Sequence, residues 1–237
     1  MPCNIAISMR VVQATGYLDP RDTISQGWFP FLKKCGIKPV LIPNIGDVEE
    51  QLETFDIKGV ILTGGNNLCP ATYHDERTLE VADTSPDRDA TEISLVEYAV
   101  NHSIPVLGVC RGIQLINAYF GGRITRLCET DSESNHVACN HEVKLIDPLF
   151  RTHFEATSLT VNSYHDQAVT VNGLAKPLTS FAVFEDDNLV EGLYHPQLPI
   201  VAIQWHPERT NLAHEFDVQL VTDFLSEQTF HSPQTLL

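Results

Sequence analysis

Basic residues are scarce in this chain: 15 Lys and Arg stand against 31 Asp and Glu, a formal net charge of −16 over 237 residues. Nucleic-acid and anionic-membrane surfaces are built from clustered Lys and Arg, so this balance argues against both as partners. A local cationic pocket for a small phosphorylated molecule is still compatible with it. No stretch approaches the ~18 uninterrupted apolar residues of a membrane helix. Met1–Pro20 lacks the basic-then-apolar pattern of a signal peptide, so a cytoplasmic chain is expected. The six cysteines (Cys3, Cys35, Cys69, Cys110, Cys128 and Cys139) contain no C-x-x-C pair, which points to free thiols rather than a disulfide framework. The irregular spacing of Cys128, His136, Cys139 and His141 speaks against zinc in the same way, and no metal is expected. Repeats and low-complexity linkers are lacking too. What is present, 43% hydrophobic and 19% charged residues, describes an ordinary globular chain expected to fold as one domain over residues 1–237.

The first half alternates short apolar runs with helical patterns. Asn4–Met9, Lys38–Ile42, Gly59–Leu62 and Pro105–Val109 read as strands. Between them, helices are predicted over Ile24–Cys35, Val48–Phe55 and Asp89–Asn101, with Asp89 as an N-cap, and a further helix over Gly112–Phe120. Strands separated in this way imply βαβ units and a parallel sheet covered on both faces. In the second half, His141–Ile146, Leu159–Asn162, Phe181–Glu185, Leu189–Tyr194 and Ile200–Gln204 follow one another too quickly for helical crossovers, so that part of the sheet is expected to be antiparallel. Thr130–Asn140 reads as loop and Asn211–Phe224 as a closing helix. The expected fold class is therefore α/β: a three-layer domain with a mostly parallel central sheet, to which the C-terminal half adds antiparallel strands.

The segment Pro105–Gly122, PVLGVCRGIQLINAYFGG, carries the chemistry. An apolar strand stops at Val109, Cys110 follows, and a helix begins almost at once. A side chain at such a turn is exposed at the carboxyl edge of the sheet, where open α/β folds bind ligands. Gly108 and Gly112 give G-x-C-x-G, the cysteine form of a nucleophile elbow. The helix N-terminus lowers a thiol pKa, and its free N–H groups can hold an oxyanion. A buried structural cysteine is the plain alternative, and the two glycines at the strand–helix junction weigh against it.

A thiolate nucleophile works best with an imidazole that activates it and protonates the leaving group. Among ten histidines, His206 is delivered by a strand that ends abruptly in Trp205-His206-Pro207-Glu208. Glu208 can then accept the second imidazole N–H and fix the tautomer. The rival base His165 lies in Val161-Asn162-Ser163-Tyr164-His165-Asp166 and reads instead as lining the pocket. Thr63-Gly64-Gly65-Asn66-Asn67 follows a buried strand. Its glycines let a backbone N–H approach a carbonyl, with Gly65 as second oxyanion donor beside Arg111 N–H. Gln114, one helical turn past Cys110, can hold a substrate's polar end. Arg88, Arg111 and Arg209 are the cations available for a carboxylate or phosphate.

Together TGG, GVCRGIQ, VNSYH and QWHPE resemble the class I glutamine amidotransferase superfamily, over about Asn4 to Phe224. The resemblance implies a Cys110–His206–Glu208 triad and glutamyl binding by Gly64, Gln114 and the loop of Ser163, Tyr164, His165 and Asp166, with Arg88 nearby. It implies no cofactor. Arg111 directly after the cysteine, and Ser85-Pro86-Asp87-Arg88-Asp89, place the likeness nearest the peptidase C26 branch, the γ-glutamyl hydrolases typified by γ-glutamyl-γ-aminobutyrate hydrolase. Arg10, Tyr17, Arg21-Asp22, Trp28, GGNN, and WHPER with Asn211 further resemble hydrolases of a γ-glutamyl-linked cytidine diphosphate that serve capsule phosphoramidate synthesis. Leu68-Cys69-Pro70 departs from that pattern towards the general C26 loop.

The leading expectation is a free-standing hydrolase of a γ-glutamyl amide bond in a small molecule. A glutaminase subunit supplying ammonia to a synthetase would use the same triad, and a non-enzymatic binding module would not need one. The leaving group, to be met by Pro70–Asp89 and Thr130–Asn140, and any homo-oligomeric state are left open by the sequence.

Overall fold

In the computed structural model the described residues are 4–73, 81–129, 136–209 and 214–227. The strands are β1 (Asn4–Ser8), β2 (Arg10–Gln13), β3 (Pro20–Thr23), β4 (Lys38–Ile42), β5 (Gly59–Leu62), β6 (Val106–Val109), β7 (Thr125–Arg126), β8 (Val137–Leu145), β9 (Ser158–Tyr164), β10 (Gln167–Thr170), β11 (Thr179–Phe184), β12 (Leu189–Tyr194) and β13 (Ile200–Ile203). The helices are α1 (Trp28–Lys34), α2 (Glu49–Thr54), α3 (Pro86–His102), α4 (Arg111–Tyr119), α5 (Pro148–His153) and α6 (His214–Glu227).

The main sheet runs β4-β1-β5-β6-β13-β12-β11-β8-β9, with β10 and β7 joined on beside β12. Strands β4, β1, β5, β6 and β13 are mutually parallel, and pairing turns antiparallel from β13 to β12 onward. The mostly parallel sheet extended by antiparallel strands is the architecture expected from the sequence. Its parallel strands are apolar because both faces are covered. Side chains alternate between two cores, as the pleat requires. Ile5, Ile7, Ile61, Leu107 and Val109 face Trp28, Phe31, Trp205 and Phe224. Ala6, Val60, Leu62 and Val106 face Leu95, Val96, Ile113 and Ile116.

One topological feature creates the site. The late strand β13 inserts beside β6, in a register that sets Ile203 against Val109. Two segments about a hundred positions apart therefore leave the sheet side by side at its carboxyl edge. Cys110 N–H donates to Ile203 O at 2.9 Å and locks the two exits together.

Helix boundaries correct the sequence reading at one functional position. α3 begins at Pro86 with Ser85, not Asp89, as N-cap; the Ser85 hydroxyl accepts from Arg88 N–H. Proline at the first helical position is pre-set for helix and has no N–H to strand, which favours the earlier start. The hairpin β2–β3, the strands β7 and β10 and the short helix α5 are additions the sequence reading lacks. Residues 130–135 of the predicted loop and Asn211 lie outside the described residues, and Val137–Asn140 is strand rather than loop.

Candidate active site

Cys110 is the N-cap of α4 and sits at φ 55°, ψ −102°, a conformation L-residues rarely adopt. Holding it costs about 1–3 kcal/mol, offset by the packing around it. Both flanking glycines are required. A Cβ on Gly108 would meet Ile116 at 2.7 Å and the Gly112 backbone at 2.8 Å, and one on Gly112 would meet Leu62 O at 2.7 Å. The strand and helix thus approach closely enough that Cys110 is thrust out at the elbow, with Arg111 N–H at the first helical position, where no intrahelical acceptor exists.

His206 and Cys110 lie together against Gly64, and His206 Nδ1 lies 2.7 Å from Glu208 Oε1. All three side chains are buried. Burial alone disfavours the imidazolium, but the charge of Cys110, hydrogen bonds to Cys110 and Glu208, and the Glu208 charge outweigh it and raise the His206 pKa to about 9. Asn162 holds the histidine backbone from both sides: its Oδ1 accepts from His206 N–H and its Nδ2 donates to His206 O, each at 2.9 Å. Trp205 Nε1 donates to Asp217 at 2.8 Å and pins the same turn to α6. The sequence reading misses Asn162, although it lies within the VNSYH motif.

Gly64 and Gly65 lie against this pair. A Cβ on Gly64 would meet His206 Cε1 at 2.5 Å and Cys110 Cβ at 3.2 Å, so only glycine fits. Gly65 has φ +101°, and a Cβ there would press on Arg10 at 3.1 Å. The loop is held from beneath by Arg88, which corrects its expected place among residues touching substrate. Its guanidinium is fully buried and donates to Thr63 O at 2.6 Å, Gly64 O at 3.1 Å, Asn66 Oδ1 at 3.2 Å and Glu92 Oε1 at 2.9 Å. Burial lowers the Arg88 pKa to about 10.

Arg111 is corrected in the same way. Its side chain turns inward to bond Asp89 and Glu92, so its charge is spent on that network rather than on the cleft. Burial opposes ionisation of Glu92, yet Arg111 and Arg88 hold its carboxyl below the ordinary range.

A cleft of about 230 Å³ opens beside Cys110, lined by Arg10, Gly65, Asn66, Asp83, Gln114, Tyr164, His165 and Asp166 among others. Gln114 and His165 line it while already engaged: Gln114 Nε2 donates to Gln167 O at 2.7 Å, and His165 Nδ1 lies 3.1 Å from the same carbonyl. Ser163 is fully buried, its hydroxyl donating to His136 O at 2.8 Å, so it shapes the wall from behind. Tyr164 and Asp166 are exposed. Arg209 stacks over the Tyr164 ring, 4.1 Å from its centroid. Arg10, which is not among the expected site residues, reaches the cleft, and its Nε has no hydrogen-bond partner among the described residues. Arg10 lies 3.8 Å from Asp83 and Arg209 lies 3.8 Å from Glu208, so both border the region with a carboxylate beside them.

Comparison with known proteins agrees with the geometry. The peptidase C26 family model matches residues 5–208. A glutamine amidotransferase-like protein of Lactococcus lactis, YvdE, is 33% identical over 84% of this chain and 86% of its own. A Campylobacter jejuni protein named gamma-glutamyl-CDP-amidate hydrolase is 29% identical over 87% of this chain and 90% of its own. A solved chain from Thermoplasma acidophilum, described as a GMP synthase component, shares the fold, with a TM-score of 0.66 at 21% identity, covering 95% of this chain and 93% of that one. The chain belongs to the peptidase C26 family.

Proposed function

We propose that this chain hydrolyses a γ-glutamyl amide bond through a thioester on Cys110. One observation carries the reading: Cys110 is forced into a rare backbone conformation at a helix N-terminus beside His206, whose Nδ1 meets Glu208 at 2.7 Å. The Cys110 thiolate attacks the γ-carbonyl carbon. Gly65 and Arg111 N–H groups receive the developing oxyanion. The C–N bond breaks as His206 gives its proton to the departing nitrogen. Water then attacks the thioester, its proton passing to His206, and glutamate leaves as the thiolate is restored.

Arg10 and Arg209 supply positive charge near the cleft in a protein that is otherwise strongly acidic. That favours an anionic conjugate, and a γ-glutamyl-linked cytidine diphosphate of the kind named for the Campylobacter relative is the candidate substrate. A glutaminase subunit supplying ammonia to a synthetase is the second reading, motivated by the fold shared with the GMP synthase component.

Glutamate release from glutamine, γ-glutamyl-γ-aminobutyrate, γ-glutamyl dipeptides and a γ-glutamyl cytidine diphosphate conjugate tests both, with Cys110→Ala as control. Selective turnover of a conjugate is expected. Turnover of glutamine alone favours the ammonia-supplying role, and an unchanged rate in Cys110→Ala overturns the mechanism.

A further inference from the structure

Beneath the Tyr164–Asp166 wall lies a cluster that the hydrolytic mechanism does not use. His136 precedes β8, His141 lies within it, His165 follows β9, and Glu191 lies in β12. Their side chains are all nearly or fully buried. Ligand atoms of His136, His165 and Glu191 lie within 4.8 Å of one another. His165 Nε2 is 3.7 Å from Glu191 Oε1, and His141 Nε2 is 3.5 Å from Glu191 Oε2.

Those separations are long for hydrogen bonds and place both histidines at ion-pair distance from the Glu191 carboxylate. Among the described residues, both Glu191 oxygens, both His141 nitrogens, His165 Nε2 and His136 Nδ1 have no hydrogen-bond partner. Pairing of the histidines with the carboxylate compensates part of this burial, and the ring and carboxylate atoms left without a hydrogen bond are costly in one dry place. A cation at their centre supplies the remaining compensation, since two ligands about 2.1 Å from a tetrahedral ion stand about 3.4 Å apart.

The unbonded atoms are also the right ones. A ligating histidine donates its other ring N–H to a carboxylate or a backbone carbonyl. His136 Nε2 lies 2.8 Å from Asp187 Oδ2, leaving Nδ1 inward. His165 Nδ1 lies 3.1 Å from Gln167 O, leaving Nε2 towards Glu191. Phe184 walls the cluster, stacked on His141 at 4.6 Å and edge-on to His136 at 5.3 Å between ring centroids.

We infer that His136, His165 and Glu191 form a buried structural site for a divalent transition metal, zinc being the ion that fits. Two imidazoles and one carboxylate are ligands that Zn2+ takes, and His141 Nε2 faces the second Glu191 oxygen from outside that trio. The ion ties β8, β9 and β12 together. It also fixes His165, which shares the Gln167 carbonyl with Gln114 and so braces the pocket wall. This set differs from the expectation of no metal drawn from spacing. Of the residues weighed there, Cys128, His136, Cys139 and His141, only His136 is a ligand, while Glu191 lies far along the chain on a strand that topology brings alongside.

The test is metal content of the full chain purified without chelators, followed by stripping and titration with Zn2+ or Co2+. About one equivalent per chain is expected, with the intense visible absorption of tetrahedral Co2+ and a rise in Tm on loading. Glu191→Gln and His136→Ala should abolish uptake, whereas Cys110→Ala should retain it. Metal lost in Cys110→Ala but kept in Glu191→Gln would place the ion on the catalytic thiol and overturn the inference. So would wild-type protein that takes up neither ion, and that titration decides even where a variant fails to fold. Neither outcome bears on glutamate release, which rests on Cys110.

Discussion

At the scale of single residues, the site depends on what three positions cannot tolerate. Gly64→Ala should leave the fold intact but push His206 away from Cys110, because the new methyl would lie 2.5 Å from His206 Cε1. Misplacement of that size costs about 10²-fold in rate, which steady-state kcat with circular dichroism as a folding control would check. His206 makes the pH dependence specific. Its folded pKa of about 9 exceeds the ordinary value of 6.5, so its contribution to stability is full below 6.5 and lost as pH rises through 9. The same proton is needed by the leaving group, so kcat/KM should fall on an alkaline limb near pH 9. Glu208→Gln removes one of the groups that raise this pKa, and the limb should move to lower pH. A limb unmoved by that change would mean that Glu208 does not set the His206 proton affinity.

At the scale of elements, the central device is the start of α3 packed under the Thr63–Gly64 loop. Arg88 and Arg111 face Asp89 and Glu92 in a buried network, and Arg88 holds two loop carbonyls. Arg88→Met leaves Glu92 short of a partner and the carbonyls bare. It should destabilise the protein by about 3–5 kcal/mol, read as a shift in the urea midpoint, and should lower kcat beyond what reduced folding explains. This network is hidden in the sequence because a helix capped by Asp89 leaves Arg88 in a loop as a solvated cation. Pro86 at the first helical position carries the better signal. Apolar runs bounded by turn residues make strands legible: Lys38–Ile42, Gly59–Leu62 and Leu189–Tyr194 have the bounds expected from sequence, although Lys38–Ile42 is an edge strand buried fully only at Ile42. The hairpin β2–β3 is not, since its residues are exposed or half-buried and carry no apolar alternation. Cys110, His206 and Glu208 are legible for a local reason: abrupt strand ends flanked by Gly or Pro advertise themselves. Arg10 and Asn162 sit inside strands and gain their positions only from tertiary pairing.

At the scale of the whole molecule, charge and topology act together. A net charge of −16 repels an anionic γ-glutamyl conjugate until it reaches the arginines at the cleft. Raising ionic strength shortens the Debye length from about 30 Å at 0.01 M to about 10 Å at 0.1 M, so kcat/KM for such a substrate should rise over that range. A neutral glutamine-sized substrate should respond less, and equal responses would remove net charge from the account. Topology contributes the meeting of β6 with β13, which no local pattern in the sequence specifies. Strand content announces an α/β sheet with an antiparallel extension, but the neighbour relation that joins Cys110 to His206 is a property of the completed sheet.

The most direct measurement is mass spectrometry of the enzyme acid-quenched during turnover of a γ-glutamyl substrate. A glutamyl adduct mapped to the Cys110 peptide, lost with hydroxylamine and lacking in Cys110→Ala, is the result expected. Steady turnover with no adduct on Cys110 in the wild type, and undiminished in Cys110→Ala, would contradict the account.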